Sequence, residues 1–182
     1  MNSSIEFDVD LIQRYDLAGP RYTSYPTAVQ FHNQFDETEY LQAIHDSNAS
    51  QRPLSLYVHL PFCGTVCYYC ACNKIITANR KRASPYLDDL HQEIVLQAAR
   101  FTEKRPVSQL HFGGGTPTFI SDDEITNLMN KLRQHFYLLE EDKGDYSIEI
   151  DPREVTPAKI VLLRQLGFNR MSFGVQDFDP NV

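Results

Sequence analysis

The stretch Leu54-Ser-Leu-Tyr-Val-His-Leu-Pro-Phe-Cys63-Gly-Thr-Val-Cys67-Tyr-Tyr-Cys70-Ala-Cys72 decides the fold, because a short apolar strand runs directly into all four cysteines of the chain. Residues Leu54 to Leu60 alternate apolar and polar side chains, the period of a half-buried strand. The thiols that follow read C-x3-C-x2-C-x-C. Structural zinc usually draws its ligands from two separated knuckles, and no second Cys pair or His-x3-5-His lies nearby. A single loop suits an iron–sulfur cluster better: three thiolates around one cubane leave an iron open to a small molecule. Zinc and unligated thiols remain the other readings of the same residues. Cys72, two residues from Cys70, is cramped for a place on the same cluster.

Working outward, Val107 to Phe112, Tyr146 to Ile150 and Arg170 to Val175 read as three more strands, with helical patterns between them. Ser84 as N-cap with Pro85 at the first helical position opens a helix whose Leu87, Leu90, Ile94, Ala98 and Phe101 line one face. Ser121 and Glu124 form a capping box before Ile125, Leu128, Leu132 and Phe136, and Thr156-Pro157 begins a helix that Gly167 closes. Crossovers of this length imply parallel pairing, so the fold class is α/β, a βα repeat with parallel strands. Residues 1–52 stand apart as an arm. Gly19 to Thr27 reads as extended because Pro20 and Pro26 disfavour helix before them, and one short helix carries Tyr40, Leu41 and Ile44 before Asp46-Ser-Asn48. Residues 53–182 form the βα part.

In parallel strands the cysteine loop, the run Gly113-Gly-Gly-Thr-Pro-Thr118, Glu149 and Gln176 all fall at carboxyl ends, the rim where βα barrels place their active sites. The glycine run lacks the Gly-Lys-Ser/Thr of a Walker loop. A carboxylate in an apolar strand, as at Glu149, needs a partner or an outward position. His59 and His111, inside strands beside both motifs, are read as packed histidines and left off the candidate site.

The chain has 182 residues, 42% hydrophobic, 12% aromatic and 23% charged, which excludes disordered, collagen-like and membrane-spanning classes. With 17 Lys and Arg against 24 Asp and Glu the net charge is −7, so bulk attraction to nucleic acid or to an anionic membrane is not expected. Four clustered cysteines are too few for a disulfide scaffold. The acidic N-terminus shows no apolar signal core, and a cytoplasmic protein with free thiols is expected.

The motifs Pro20-Arg-Tyr-Thr-Ser-Tyr-Pro-Thr27, Tyr57-Val-His-Leu-Pro-Phe-Cys63, Cys70-Ala-Cys-Asn-Lys74, Leu110-His-Phe-Gly-Gly-Gly-Thr-Pro-Thr118, Ile148-Glu-Ile-Asp-Pro-Arg-Glu154 and Gly174-Val-Gln-Asp-Phe178 together resemble the oxygen-independent coproporphyrinogen III oxidases, a family of radical S-adenosylmethionine enzymes. The resemblance implies a [4Fe-4S] cluster on Cys63, Cys67 and Cys70 and two molecules of S-adenosylmethionine. Tyr57, Gly114 and Glu149 match contacts to the first of them; Tyr69, Gly115, Thr116 and Gln176 match contacts to the second. Tyr69 departs mildly from the phenylalanine often found there. The implied reaction converts two propionates of coproporphyrinogen III to vinyl groups in heme biosynthesis, through a 5′-deoxyadenosyl radical. The implied partners are this tetrapyrrole and an unidentified electron donor, with the protein a monomer. Arg21 is a candidate for holding a propionate. A heme-trafficking relative and a non-catalytic metal-binding domain are the alternatives; Cys72 and the Pro20 to Thr27 arm favour the oxidase.

The resemblance also implies the N-terminal part of a partial TIM-like (βα) barrel, and full βα barrels need about 250 residues. Val182 therefore reads as a truncation point, with the fourth strand left as an unpaired edge, and the chain alone is expected to bind a cluster but to oxidise coproporphyrinogen poorly.

Overall fold

The computed structural model describes residues 7–16, 27–67, 70–101, 105–175 and 179. Tyr69, Gln176 and Arg21, with most of the Pro20 to Thr27 motif, lie outside the described residues. The chain divides into two compact units, Met1–Leu41 and Gln42–Val182.

In the first unit the helix α1 (Val9–Tyr15) is capped by Asp8, whose carboxylate accepts the Leu11 N–H at 2.9 Å. The helix α2 (Glu37–Ser50) begins here, with the Asp36 carboxylate accepting the N–H groups of Thr38 and Glu39. The division between the units falls inside α2, which also runs further than the sequence suggests. Asp46, Ser47 and Asn48 are helical rather than the end of the helix. Ser47 and Asn48 find partners distant in sequence: the buried Arg105 guanidinium donates to the carbonyl and hydroxyl of Ser47, and the Asn48 amide donates to the Arg100 carbonyl, while Asp46 accepts from the Gln42 amide one turn earlier.

The second unit is a parallel sheet with helices on one face. Its strands and main helices in chain order are β1 (Leu54–Leu60), the short β2 (Phe62–Cys63) and β3 (Ile75–Ile76); α3 (Ala83–Ala98); β4 (Pro106–Gly114); α4 (Asp122–His135); the short β5 (Tyr137–Leu138); β6 (Asp145–Glu149); α5 (Pro157–Gln165); and β7 (Arg170–Ser172). The sheet order is β1-β4-β6-β7, with β5 also against β4, all parallel. It is a partial barrel: among the described residues no closed barrel forms. Parallel strands joined through helices are what the alternating sequence implies.

The helices cover the face that carries Leu54, Val58, Leu60, Leu110, Phe112, Tyr146 and Ile148. Leu87 and Ile94 of α3, Ile125, Leu128, Met129 and Leu132 of α4 and Leu163 of α5 fill that side. Phe112 meets Phe168 edge-on with ring centroids 5.1 Å apart. The capping box of α4 is present in both directions, Glu124 N–H to Ser121 Oγ and Ser121 N–H to Glu124 Oε2. Thr156 caps α5 by accepting the Lys159 N–H.

Several boundaries differ from the sequence reading, and β4 runs from Pro106 to Gly114 rather than from Val107 to Phe112. The helix α3 starts at Ala83, not after a Ser84 cap, because a 3-10 turn over Arg80–Arg82, itself capped by Asn79, feeds straight into it. Pro85 then stands third in the helix, within the first turn, where a proline is tolerated. The strand β6 begins one residue earlier and ends at Glu149. The strand β7 stops at Ser172 rather than Val175: the Ile150 N–H gives the Ser172 carbonyl a last partner at 2.9 Å, and Phe173 and Val175 beyond it are 59% and 60% exposed.

Candidate functional site

The chain leaving β1 is fixed on two sides before it enters the cysteine loop. On one side, Ile75 N–H donates to the Pro61 carbonyl at 2.7 Å and Thr77 N–H to the Cys63 carbonyl at 2.9 Å, which forms the β2-β3 pair. On the other, Gly115 N–H donates to the Leu60 carbonyl at 2.9 Å and Thr116 N–H to the Phe62 carbonyl at 2.8 Å. The glycine run thus lies along the segment that carries Cys63. A Cβ at Gly115 would stand 2.7 Å from the Pro61 carbonyl oxygen, 2.8 Å from the Phe62 carbonyl oxygen and 2.8 Å from Cys63 Sγ, so only glycine allows this approach. The Thr116 hydroxyl also points at Cys63 Sγ, 3.7 Å away.

Cys63 is buried, Cys67 and Cys70 are half-buried and Cys72 is exposed, and all four are free thiols. A turn closes between the Cys67 carbonyl and the Cys70 N–H. The Cys72 N–H donates to Cys70 Sγ, and this bond, with Lys74 nearby, holds the Cys70 thiol below its ordinary pKa. Cys72 moves the other way, raised by its hydrogen bond to Cys70 and by burial. Lys74 Nζ ties the loop by donating to the carbonyls of Cys70 and Cys72.

Among the described residues no three His, Cys, Asp or Glu side chains converge on a single metal ion. A cubane places its irons at separate corners, so its thiolates stand further apart than the ligands of one ion. Three free thiols on one loop, the first pressed against a glycine whose Cβ would fill the adjoining space, suit such a cluster.

Beside the thiols, the sheet face opposite the helices is polar. Strand register sets Tyr57 beside His111 and His111 beside Ser147, and one step nearer the rim sets His59 beside Gly113. Glu149 reaches across β4, accepting the Gly114 N–H on Oε2 at 3.2 Å, with Oε1 3.4 Å from His111 Nε2. The phenol of Tyr57 lies 2.9 Å from His59 Nδ1, and its ring stacks over His111 with centroids 5.8 Å apart. Burial, then the nearby Glu149 charge, raises the Tyr57 phenol above its ordinary pKa.

The structure therefore brings Tyr57, Cys63, Gly114, Gly115, Thr116 and Glu149 to one rim, with Cys67 and Cys70 on the adjoining loop. Two histidines that sequence reasoning left aside sit among them: His59 spans from Tyr57 to the Asn73 carbonyl, and His111 from Ser147 to Glu149. Their signal was present in the sequence. Tyr57 and His59, His111 and Gly113, and Ser147 and Glu149 are each two apart, which puts each pair on one side of its own strand, and the register sets the three pairs side by side.

This fold, with a cysteine loop after its first strand and a glycine run after the next long one, defines the class. The chain belongs to the Radical SAM superfamily, whose sequence profile matches residues 57–182. Within it, the chain is 57% identical over 182 residues to the oxygen-independent coproporphyrinogen III oxidase of Pseudomonas aeruginosa, covering 100% of this chain and 40% of that protein. It is 45% identical over 150 residues to the protein of that name from Mannheimia haemolytica, covering 82% of this chain and 99% of the relative. A solved structure of coproporphyrinogen III oxidase from Escherichia coli, described as a radical SAM enzyme, superposes with a TM-score of 0.83 at 48% identity, over 97% of this chain and 38% of that one. These likenesses make the chain a member of the oxygen-independent coproporphyrinogen III oxidase family. It spans 40% of the length of its Pseudomonas relative.

Proposed function

We propose that this chain provides the cofactor-binding part of a coproporphyrinogen III oxidase, with residues 53–182 as the first βα units of the radical SAM core and residues 1–52 as an arm preceding it. The observation that carries the reading is the fixing of Cys63 between β3 and the glycine run, at the mouth of a loop that also holds Cys67 and Cys70. These three thiolates would hold a [4Fe-4S] cluster. Tyr57, Gly114 and Glu149 would contact one S-adenosylmethionine, and Gly115 and Thr116, with Tyr69 and Gln176, a second. When bound, cluster and S-adenosylmethionine supply one-electron cleavage to a 5′-deoxyadenosyl radical.

The chain's own residues hold and orient. The Gly114 N–H donates to the Glu149 carboxylate, the glycine run lets ligand approach backbone, and the apolar face packs the sheet against the helices. In the proposed reaction each propionate of coproporphyrinogen III loses a β-hydrogen atom, carbon dioxide and, to an acceptor, one electron, which leaves a vinyl group. Two such rounds give protoporphyrinogen IX. The partners are this tetrapyrrole and an electron donor, without nucleic acid or membrane, and the protein acts as a cytoplasmic monomer. Among the described residues no helix is long and apolar enough to cross a membrane.

Anaerobic reconstitution with iron and sulfide tests the reading. A reduced cluster should give an electron paramagnetic resonance signal that changes on adding S-adenosylmethionine. Alanine at Cys63, Cys67 or Cys70 should abolish that signal, and Cys72→Ala should keep it. Tight binding of one zinc ion in place of a cluster, or loss of the signal in Cys72→Ala, would overturn the ligand set. An assay with coproporphyrinogen III, followed for carbon dioxide and 5′-deoxyadenosine, tests the reaction.

A further inference from the structure

We propose that His111 is a positioning residue that holds the Glu149 carboxylate, and that Ser147 sets which imidazole nitrogen carries the proton. The inference rests on the reading of Glu149 as a contact to S-adenosylmethionine and adds two residues to it.

The three side chains form a chain across β4 and β6. His111 Nδ1 lies 2.7 Å from Ser147 Oγ, and its Nε2 lies 3.4 Å from Glu149 Oε1. An ionised carboxylate offers only lone pairs, so Nε2 must be the donor toward Glu149. In a neutral imidazole Nδ1 is then the acceptor, and the Ser147 hydroxyl donates to it. Ser147 is 3% exposed, which leaves its hydroxyl little access to water as another partner. The Tyr57 ring, stacked over His111, holds the imidazole from the β1 side.

Glu149 is thereby gripped at both oxygens, Oε1 by His111 and Oε2 by the Gly114 N–H. Two bonds on two oxygens define the plane of the carboxylate and leave lone pairs for donors of a ligand. The side chain is 43% exposed, so a ligand can reach it. The space between the partners is closely fitted. A Cβ at Gly113 would lie 3.0 Å from His111 Nε2, 3.1 Å from Tyr57 Cε2 and 3.2 Å from Glu149 Oε2. The first glycine of the run makes room for the grip.

The test uses the full chain with its cluster reconstituted under anaerobic conditions, and measures S-adenosylmethionine binding by calorimetry. His111→Ala and Ser147→Ala should each weaken binding, the first by about tenfold, the usual scale for a hydrogen bond to a charged group. His111→Gln places an amide N–H near the position of Nε2 and should stay within about threefold of the parent. Glu149→Ala should weaken binding at least as much as His111→Ala, and adding His111→Ala to it should change little more. Nitrogen-15 spectra of the imidazole give a second readout that needs no ligand. The parent should carry the proton on Nε2 of His111, and Ser147→Ala should lose that preference. If His111→Ala binds like the parent while Glu149→Ala does not, the positioning role falls and the reading of Glu149 stands. If Glu149→Ala binds like the parent, that reading falls instead. A proton on Nδ1 in the parent overturns the hydrogen-bond chain whatever the affinities.

Discussion

The two faces of the sheet are made by the same strands and do opposite work. On β1, Leu54, Val58 and Leu60 are buried toward the helices, whereas Ser55 and Tyr57 between them are exposed. On β4, Leu110 and Phe112 are fully buried and His111 between them carries a hydrogen-bonded imidazole. On β6, Tyr146 and Ile148 pack inward, while Asp145 and Glu149 pair with charged or polar groups. A strand reverses its side chain at every residue, so one segment can supply packing energy on one face and chemistry on the other. The difference teaches where each kind of substitution should be felt. Apolar positions should govern stability and polar positions should govern binding.

The sharpest way to break this division is a pair of truncations on neighbouring strands. Phe112 is 0% exposed and touches Phe168, so Phe112→Ala should cost about 3–5 kcal/mol and lower the urea midpoint severely. Tyr57 is 60% exposed, and Tyr57→Ala should cost about 1 kcal/mol or less. Equal losses from the two would show that the polar face is also a packing core.

A smaller effect is expected where the faces meet, at the glycine run. Gly115→Ala forces a methyl group against two backbone carbonyl oxygens and Cys63 Sγ at 2.7–2.8 Å. Backbone cannot rotate away as a side chain can, so the loop must shift, at about 1–3 kcal/mol. The same shift displaces Cys63. Iron uptake during reconstitution should fall along with stability, and a variant that keeps both at the parent level would show that the close approach is dispensable.

How much of this was legible in the sequence follows from the range of each interaction. The strands β1, β4 and β6, the capping box at Ser121 and Glu124 and the thiol loop are local, and their residue patterns state them directly. The pair β2-β3 has two residues a strand, too few to show a period, and exists because Pro61 and Cys63 offer carbonyls to Ile75 and Thr77. The extension of α2 through Asp46 to Ser50 depends on Arg105, which lies 58 residues beyond Ser47. The grip on Glu149 joins residues 36 and 38 apart, His111 with Ser147 and with Glu149, through strand register. Alternation paired these side chains within each strand, but only the register brought them to one face as partners.

The weakest expected effect is electrostatic and lies on the loop after β6. Arg153 grips Asp151 with two side-chain bonds, Nε at 3.0 Å and an Nη at 2.7 Å, and its N–H adds a third. The Arg153 side chain, then its backbone N–H, hold the Asp151 carboxyl below its ordinary value of 3.8 against the opposing effect of burial. A carboxyl whose pKa is lowered on folding stabilises the fold above its unfolded value. That contribution fades as pH falls below 3.8 toward the lower folded value, because the unfolded chain takes up the proton first. The guanidinium is 68% exposed, so water screens the pair and Arg153→Ala should cost only about 0.5 kcal/mol at pH 7. Urea titrations of parent and variant should differ by that amount at neutral pH and converge in acid, once Asp151 is protonated in both states. A gap that persists unchanged at the lowest pH would mean that Arg153 stabilises the loop by packing its stem rather than by its charge, and a gap as large as that of Phe112→Ala would erase the contrast between the two faces.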